Sequence, residues 1–405
     1  MSHPSLQVRL HFSSKKNILI GTLSQIERES VFQFAPSFLS NPLPISPFHL
    51  ALSPSVQTYN RKGNMETFGV FEDSLPDGWG RKIIDRHFAH AYGRTPTLLE
   101  RFSCIGHEGM GALTYHPCKD VDPFETPLDL AELAENAWDF DDDKVEEALP
   151  ELRRLAGSSG GARPKALIEL NESTGTIARN VPELPDGFSH WIIKFNTKRD
   201  GIHSGPLEFA YNEIARRAGA DVPPCRLIET KIGRFFATRR FDRQPNGNRL
   251  HLHSAAGLLH ADFRIPGDEY EILFRLTDAL TRNYASKKEL FRRVCLNVFA
   301  HNRDDHLKNF AYLMDANGEW TLSPLFDFTY NEGPNGWQSL SVAGEGKQPG
   351  EKDLLRLADQ VNLNTQDAQK IIETVQTAIA TLPALAQTLA IPPVRTGLAS
   401  AAVLP

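Results

Sequence analysis

The chain is predicted to be an α+β protein with a strand-rich N-terminal subdomain and a mainly helical C-terminal lobe. Three observations predict this. Short strand-like runs punctuated by Gly, Pro, Asn and Ser fill the chain to about residue 117; alternating strands follow a Gly/Ser loop in the middle; helical apolar spacing dominates after residue 254. A length of 405 residues accommodates two or three domains. Hydrophobic residues at 40% and charged ones at 23% describe an ordinary globular protein. The net charge of −6 argues against unaided nucleic-acid binding, because phosphate contacts call for a basic excess.

Cys104, Cys118, Cys225 and Cys295 are scattered and form no C-x-x-C pair, so free thiols in a reducing cytosol are expected. The N-terminus lacks a basic-then-apolar leader, and no apolar run approaches the ~18–20 residues of a membrane span. A cytoplasmic location away from membranes is the expectation.

The first segment, residues 1–118, reads as strands and turns with one helix. That helix lies in "SLPDGWGRKIIDRHFAHAYG", where Ile83, Ile84, Phe88 and Tyr92 keep helical spacing and Gly93 is a stop. Residues 119–147 are acidic and read as a solvated linker with a helix face. Residues 148–245 form a small-sheet region. There "GSSGGARPKALIEL" leads a Gly/Ser loop into a strand, and "HWIIKFN" alternates Trp191, Ile193 and Phe195 against Ile192 and Lys194. "PLEFAYNEIARRAG" is a helix stopped at Gly219, and "CRLIETKIGRFFATRRFDR" is a hairpin turning at 231–233. Residues 246–405 form the helical lobe. Ser286 and Glu289 have capping-box spacing before a stripe of Leu290, Phe291, Val294, Val298 and Phe299. A hairpin follows, with "FAYLM" and "WTL" flanking a turn at 315–318.

Between that stripe and that hairpin stands "HNRDDHLKNF", residues 301–310, crowded with ionisable groups. Zinc favours histidines four apart on a helix, but His301 and His306 are five apart and have no evident third ligand. Phosphoryl transfer fits better. It needs a carboxylate to orient the attacking hydroxyl and oxygen ligands for Mg²⁺. Asp304 and Asn309 have the D-x-x-x-x-N spacing of a kinase catalytic loop, and Asp327 follows after a hairpin. The Gly loop, the strand lysine Lys194 and the helix glutamate Glu208 precede them in kinase order. Each signal alone is common; their conjunction on suitable elements is not.

Together "LPDGWGRKIIDR", "IGHEGMGAL", "SSGGARPKA", "HWIIKFN", "LEFAYNEIARRAG", "RRFDR", "DDHLKNF" and "LSPLFD" resemble the HipA family of serine/threonine kinases, the toxin halves of bacterial toxin–antitoxin pairs. The resemblance runs over nearly the whole chain and implies a bilobal, protein-kinase-like fold of the HipA type. It implies Asp304 as catalytic base, with Asn309 and Asp327 as Mg²⁺ ligands. Lys194 aligns with the lysine that contacts ATP phosphates, and Glu208 is the candidate for its partner. The nucleotide-binding loop aligns with Gly160, Gly161, Ala162, Arg163, Pro164 and Lys165, and the adenine hinge with Arg239, Arg240 and Phe241. His306, Leu307 and Lys308 fall inside the catalytic loop. His306 is expected to hold the loop backbone; Lys308 is either a phosphate contact or an exposed lysine. Asp305 departs from the glycine frequent in the family. Ser158, or its neighbour Ser159, aligns with the serine that the family autophosphorylates. The family implies ATP and Mg²⁺ as cofactors, a small helix-turn-helix antitoxin (HipB-like) that brings the DNA contacts, and an aminoacyl-tRNA synthetase as protein substrate. A small-molecule phosphotransferase, or a catalytically silent co-repressor in an antitoxin–DNA complex, stay open as alternatives.

Overall fold

The computed structural model describes residues 4–118 and 163–392, apart from residues 28, 62, 77, 179–183, 199, 246 and 266, together with residues 134, 135 and 138. The first sheet holds β1 (Ser5–Ser13), β2 (Lys16–Ile26), β3 (Glu29–Phe34), β4 (Gln57–Tyr59) and β5 (Leu113–His116) in the order β4-β3-β2-β1-β5. Its neighbours pair antiparallel. Two-residue alternation sets its inner face: Leu6, Val8, Leu10 and Phe12 of β1 are all buried.

Four helices accompany this sheet, where the sequence predicted one: α1 (Pro36–Leu39), α2 (Gly69–Glu72), α3 (Gly78–Tyr92) and α4 (Leu98–Ile105). Only α3, at 15 residues, is long enough to show helical periodicity. The start of α4 is a reciprocal capping box, with Thr97 Oγ1 accepting from Glu100 N and Glu100 accepting from Thr97 N.

The second sheet holds β6 (Lys165–Asn171), β7 (Ile177–Ala178), β8 (Phe188–Lys194), β9 (Cys225–Thr230) and β10 (Gly233–Arg239) in the order β7-β6-β8-β10-β9. The alternation read in "HWIIKFN" is present: Trp191, Ile193 and Phe195 are buried in the sheet's own core. Helix α5 (Ser204–Arg217) crosses beside β10.

The helical lobe contains β11 (His251–Ser254), α6 (Ala255–Leu259), α7 (Tyr270–Thr281), α8 (Tyr284–Phe299), a 3-10 turn at Leu307–Asn309, β12 (Ala311–Met314), β13 (Trp320–Leu322), a second 3-10 turn at Pro334–Gly336, α9 (Glu351–Gln360), α10 (Thr365–Ile379) and α11 (Leu382–Thr388). The expected hairpin β12–β13 is joined on its other side by β11, making three strands. The expected capping box at Ser286 does not form. Helix α8 starts earlier, on Asn283, whose side chain accepts from Ala285 N. Glu289 is occupied by Arg292, Arg293 and the Asp221 amide instead. Asn caps as well as Ser does, so the earlier start wins.

Two buried cores result. The larger runs without interruption from the first sheet through α5 into the helical lobe. The smaller belongs to the second sheet and takes in Trp79 and Ile83 of α3. The seam between the first sheet's helices and the lobe is tight. A Cβ on Gly69 of α2 would stand 1.9 Å from the carbonyl oxygen of Gly257 in α6, so only glycine fits.

Candidate active site

Lys194 ends β8, and antiparallel register sets it opposite Lys165 on β6 and Phe236 on β10. Two lysines facing each other across strands repel, so this face requires anions. Two are built in. Lys194 Nζ lies 2.5 Å from Glu208 Oε1 of α5 and 2.6 Å from Asp327 Oδ1. Glu208 is almost wholly buried, at 1% exposure, and its second oxygen lies 3.3 Å from Arg163. Arg163 also approaches Asp200, at 3.6 Å. Asp327 holds a left-handed backbone, φ 54°, a conformation costing about 1–2 kcal/mol in a non-glycine residue and concentrated at functional sites.

Burial opposes the charge on Lys194, but Asp327 and Glu208 outweigh it and hold the ammonium's pKa above the lysine range. Burial likewise opposes the charge on Asp327, but Lys194, Lys165 and Arg163 outweigh it and hold this carboxyl well below its ordinary value. Asp304 differs. Burial raises its pKa, the nearby Asp327 charge adds to the rise, and His306, Arg163 and Lys194 only partly oppose it. Two acids are thus set apart, one locked as an anion and one with raised proton affinity.

The loop that carries Asp304 is held by its own backbone. Asn309 Nδ2 donates to the Asp304 carbonyl at 2.7 Å, which turns the amide oxygen away as an acceptor. His306 Nε2 lies 3.6 Å from Asp304 Oδ1, and its ring packs on Phe263 with centroids 4.7 Å apart. Its side chain therefore meets the carboxylate. Burial lowers the His306 pKa despite the Asp304 charge. Lys308 Nζ lies over the same Phe263 ring, 5.3 Å from its centre.

Asp305 is an anchor. Its carboxylate is buried, accepts from Ser339 N at 2.7 Å and from the Tyr270 hydroxyl, and so ties the loop to α7. Burial raises its pKa to about 6.

A cavity of about 970 Å³ brings together Lys165, Lys194, Arg239, Arg240, Phe241, Asp304, His306, Lys308, Asn309 and Asp327. Apolar Ile192, Phe236 and Leu325 also line it. Arg163, Pro164 and Leu307 do not line it; Arg163 is half-buried and the other two are buried. Gly160, Gly161, Ala162, Ser158 and Ser159 lie outside the described residues, as does the acidic segment 119–147 apart from residues 134, 135 and 138. The donor set on one wall is hard: a carboxylate and an amide oxygen, from Asp327 and Asn309, fit a cation such as Mg²⁺. Lys165, Lys194 and Arg163 fit phosphate oxygens, and the apolar wall fits a planar ring.

The hinge residues do more than line the cavity. Arg240 and Arg243 both grip Asp242, at 2.8 and 2.6 Å, in a fully buried cluster. Asp242 also accepts from Gly111 N at 2.6 Å, and both arginines donate to the Gly109 carbonyl. The "RRFDR" segment therefore clamps the "GHEGMG" segment of the first domain. Asp73, Gly78 and Met110 of that domain reach the cavity wall as well. Sequence reading missed them, because nothing in their spacing links them to a loop more than 190 residues away.

Two lobes, a small antiparallel sheet with its lysine–glutamate pair, and an Asp/Asn loop facing a second Asp define a protein-kinase-like α+β protein. The HipA-like C-terminal domain model matches residues 157–382, and the HipA N-terminal domain model matches residues 14–116. The chain belongs to the HipA family. It is 27% identical over 282 residues to Y4dM, a candidate kinase of Sinorhizobium fredii, covering 66% of this chain and 63% of that protein. It is 30% identical over 135 residues to a candidate kinase of Haemophilus influenzae, covering 30% of this chain and 39% of that protein. The chain thus spans less than two thirds of each curated relative. Among solved structures, HipA of Shewanella oneidensis, determined with HipB and its operator DNA, superposes with a TM-score of 0.68 at 17% identity. That match covers 96% of this chain and 92% of the other, and it shows a shared fold. No described helix is long and apolar enough to cross a membrane.

Proposed function

We propose that this protein is an ATP- and Mg²⁺-dependent protein serine/threonine kinase acting as the toxin of a toxin–antitoxin pair. The observation that carries the reading is the convergence of Lys194, Asp304, Asn309 and Asp327 on one cavity. In this reading Asp304 accepts or orients the hydroxyl proton of a serine or threonine during attack on the γ-phosphorus. Its raised proton affinity suits that task. Asn309 and Asp327 offer oxygens to Mg²⁺, which when bound neutralises phosphate charge. Lys194 is kept straight by Glu208 and meets phosphate oxygens; Lys165 stands beside it. Arg239, Arg240 and Phe241 meet adenine through backbone atoms, since the Arg240 side chain is committed to Asp242.

Family membership supports the toxin role, a HipB-like antitoxin as partner, an aminoacyl-tRNA synthetase as substrate class, and autophosphorylation on Ser158 or Ser159. A phosphate in that Gly/Ser loop would carry nearly two negative charges into an anion-binding turn and force it to relocate.

The test is transfer of label from γ-labelled ATP with Mg²⁺ to the protein and to a host lysate. Label on Ser158 or Ser159 and on one lysate protein is expected. Label on a metabolite would favour a small-molecule phosphotransferase, and ATP binding without any transfer would favour a silent co-repressor. Asp304→Asn is expected to lower transfer by a factor of at least about 100 while ATP binding persists. Undiminished transfer by that variant removes Asp304 from the mechanism.

A further inference from the structure

A cluster outside the cavity's lining has the chemistry of a metal site. His107 follows the turn after α4, His116 ends β5, and Cys118 comes two residues later. One ligand atom from each lies within 4.8 Å of the other two. The two imidazole rings meet edge to face with centroids 4.6 Å apart. We propose that His107, His116 and Cys118 bind a borderline-soft divalent cation of the Zn²⁺ class, with water completing a tetrahedral set.

The donors select the ion. Two imidazoles and a thiolate suit Zn²⁺ and reject Mg²⁺ or Ca²⁺, which take oxygen ligands. Tetrahedral Zn²⁺ with bonds of about 2.0–2.3 Å separates two imidazole nitrogens and one sulfur by about 3.3–3.6 Å, so closing the set asks for a shift of about 1 Å. His107 is exposed, and His116 and Cys118 are half-buried, so the shift is one of side chains that reach the surface. His116 Nε2 lies 3.2 Å from Thr114 Oγ1. When Nε2–H donates there, Nδ1 is left to the ion and the hydroxyl fixes the ring, as outer-shell partners do in metal sites.

The backbone supports the placement. Gly106 has φ 50°, and a Cβ there would stand 2.8 Å from the Cys118 Cβ, so the sulfur-bearing side chain packs over a position that only glycine leaves open. The 106–107 turn is itself held: Tyr115 N donates to the Gly106 carbonyl, and Arg249 donates to the His107 carbonyl at 2.7 Å. Binding replaces the Cys118 S–H bond with a sulfur–metal bond and releases that proton to solvent. The ion would tie the α4–β5 turn to the end of β5, where the chain leaves the first domain.

The experiment is titration of the full-length, metal-stripped, reduced protein with Co²⁺, a spectroscopic stand-in for Zn²⁺. One equivalent is expected to give a thiolate-to-cobalt absorption band that Zn²⁺ displaces and excess Mg²⁺ does not. Cys118→Ser is expected to abolish the band. His107→Ala and His116→Ala are expected to weaken Co²⁺ at least about tenfold. Cys104→Ser and Asp327→Asn are expected to leave both band and affinity unchanged. Thermal melting of each variant checks that it folds, and the exposed His107 gives a variant with little structural risk. No band at one equivalent, a band that survives Cys118→Ser, or one lost with Cys104→Ser would overturn the proposal. The result is independent of whether the cavity transfers phosphate.

Discussion

Asp304 and Lys194 differ in what pH can do to them. Burial raises the Asp304 pKa, so a base at this position is lost on acidification earlier than an ordinary carboxylate. Lys194 stays charged throughout the physiological range, because Asp327 and Glu208 outweigh its burial. The kcat/KM profile of the proposed reaction is therefore expected to show one acidic limb, shifted upward from the usual carboxylate range, with no lysine limb below about pH 10. An acidic limb centred in the neutral-to-alkaline range would point to another base. Asp305 makes a separate claim on pH. Its folded pKa of about 6 lies above its unfolded value of 3.8, so the folded state favours the protonated form. The penalty is absent below the unfolded value, grows as pH rises, and is complete above about 6, where it amounts to about 3 kcal/mol. Asp305→Asn keeps an acceptor for Ser339 N and has no charge to desolvate. It is expected to raise Tm at pH 8 and to change it little at pH 4; an equal shift at both values would show that charge is not the cause.

At the scale of elements, the buried Arg240–Asp242–Arg243 cluster joins the hinge to the first domain. Asp242→Ala leaves two buried guanidiniums without their carboxylate and frees the Gly111 amide. A loss of roughly 3–5 kcal/mol is expected in urea unfolding, together with faster amide exchange at 109–112. Unchanged exchange there would mean that the arginine–carbonyl bonds alone hold the clamp. This cluster also marks the limit of sequence reading. The strand faces at Trp191–Phe195, helix α3 and the β12–β13 hairpin were legible, since each rests on local periodicity or turn chemistry. The order of Lys194, Glu208, Asp304, Asn309 and Asp327 was legible too, through a pattern spread over elements. The short helices α1, α2 and α4 were not, because four to eight residues complete too few turns to show a period. Nor was the role of Asp242, whose partner Gly111 lies 131 residues away. Nothing in "RRFDR" alone says that its acid is a clamp rather than a ligand.

Across the whole molecule, the first domain and the helical lobe share one continuous core, fastened further by Asp73 accepting from Ser254 N and bonding His253 at 2.6 Å. The second sheet has a core of its own. Native-state hydrogen exchange in urea is expected to give β1–β3 and α8 one common unfolding free energy, with β6–β10 opening at a lower one. Independent opening of β1–β3 while α8 stays protected would contradict the shared core.

Gly69 against Gly257 leaves no slack between backbones, so the larger body has no room to flex at that seam. Displacement across the cleft is then expected of the small sheet, a jaw against a fixed anvil. Lys194 rides on the jaw while Asp327 stays with the anvil, which makes the length of that one ion pair the natural gauge of how far the mouth stands open.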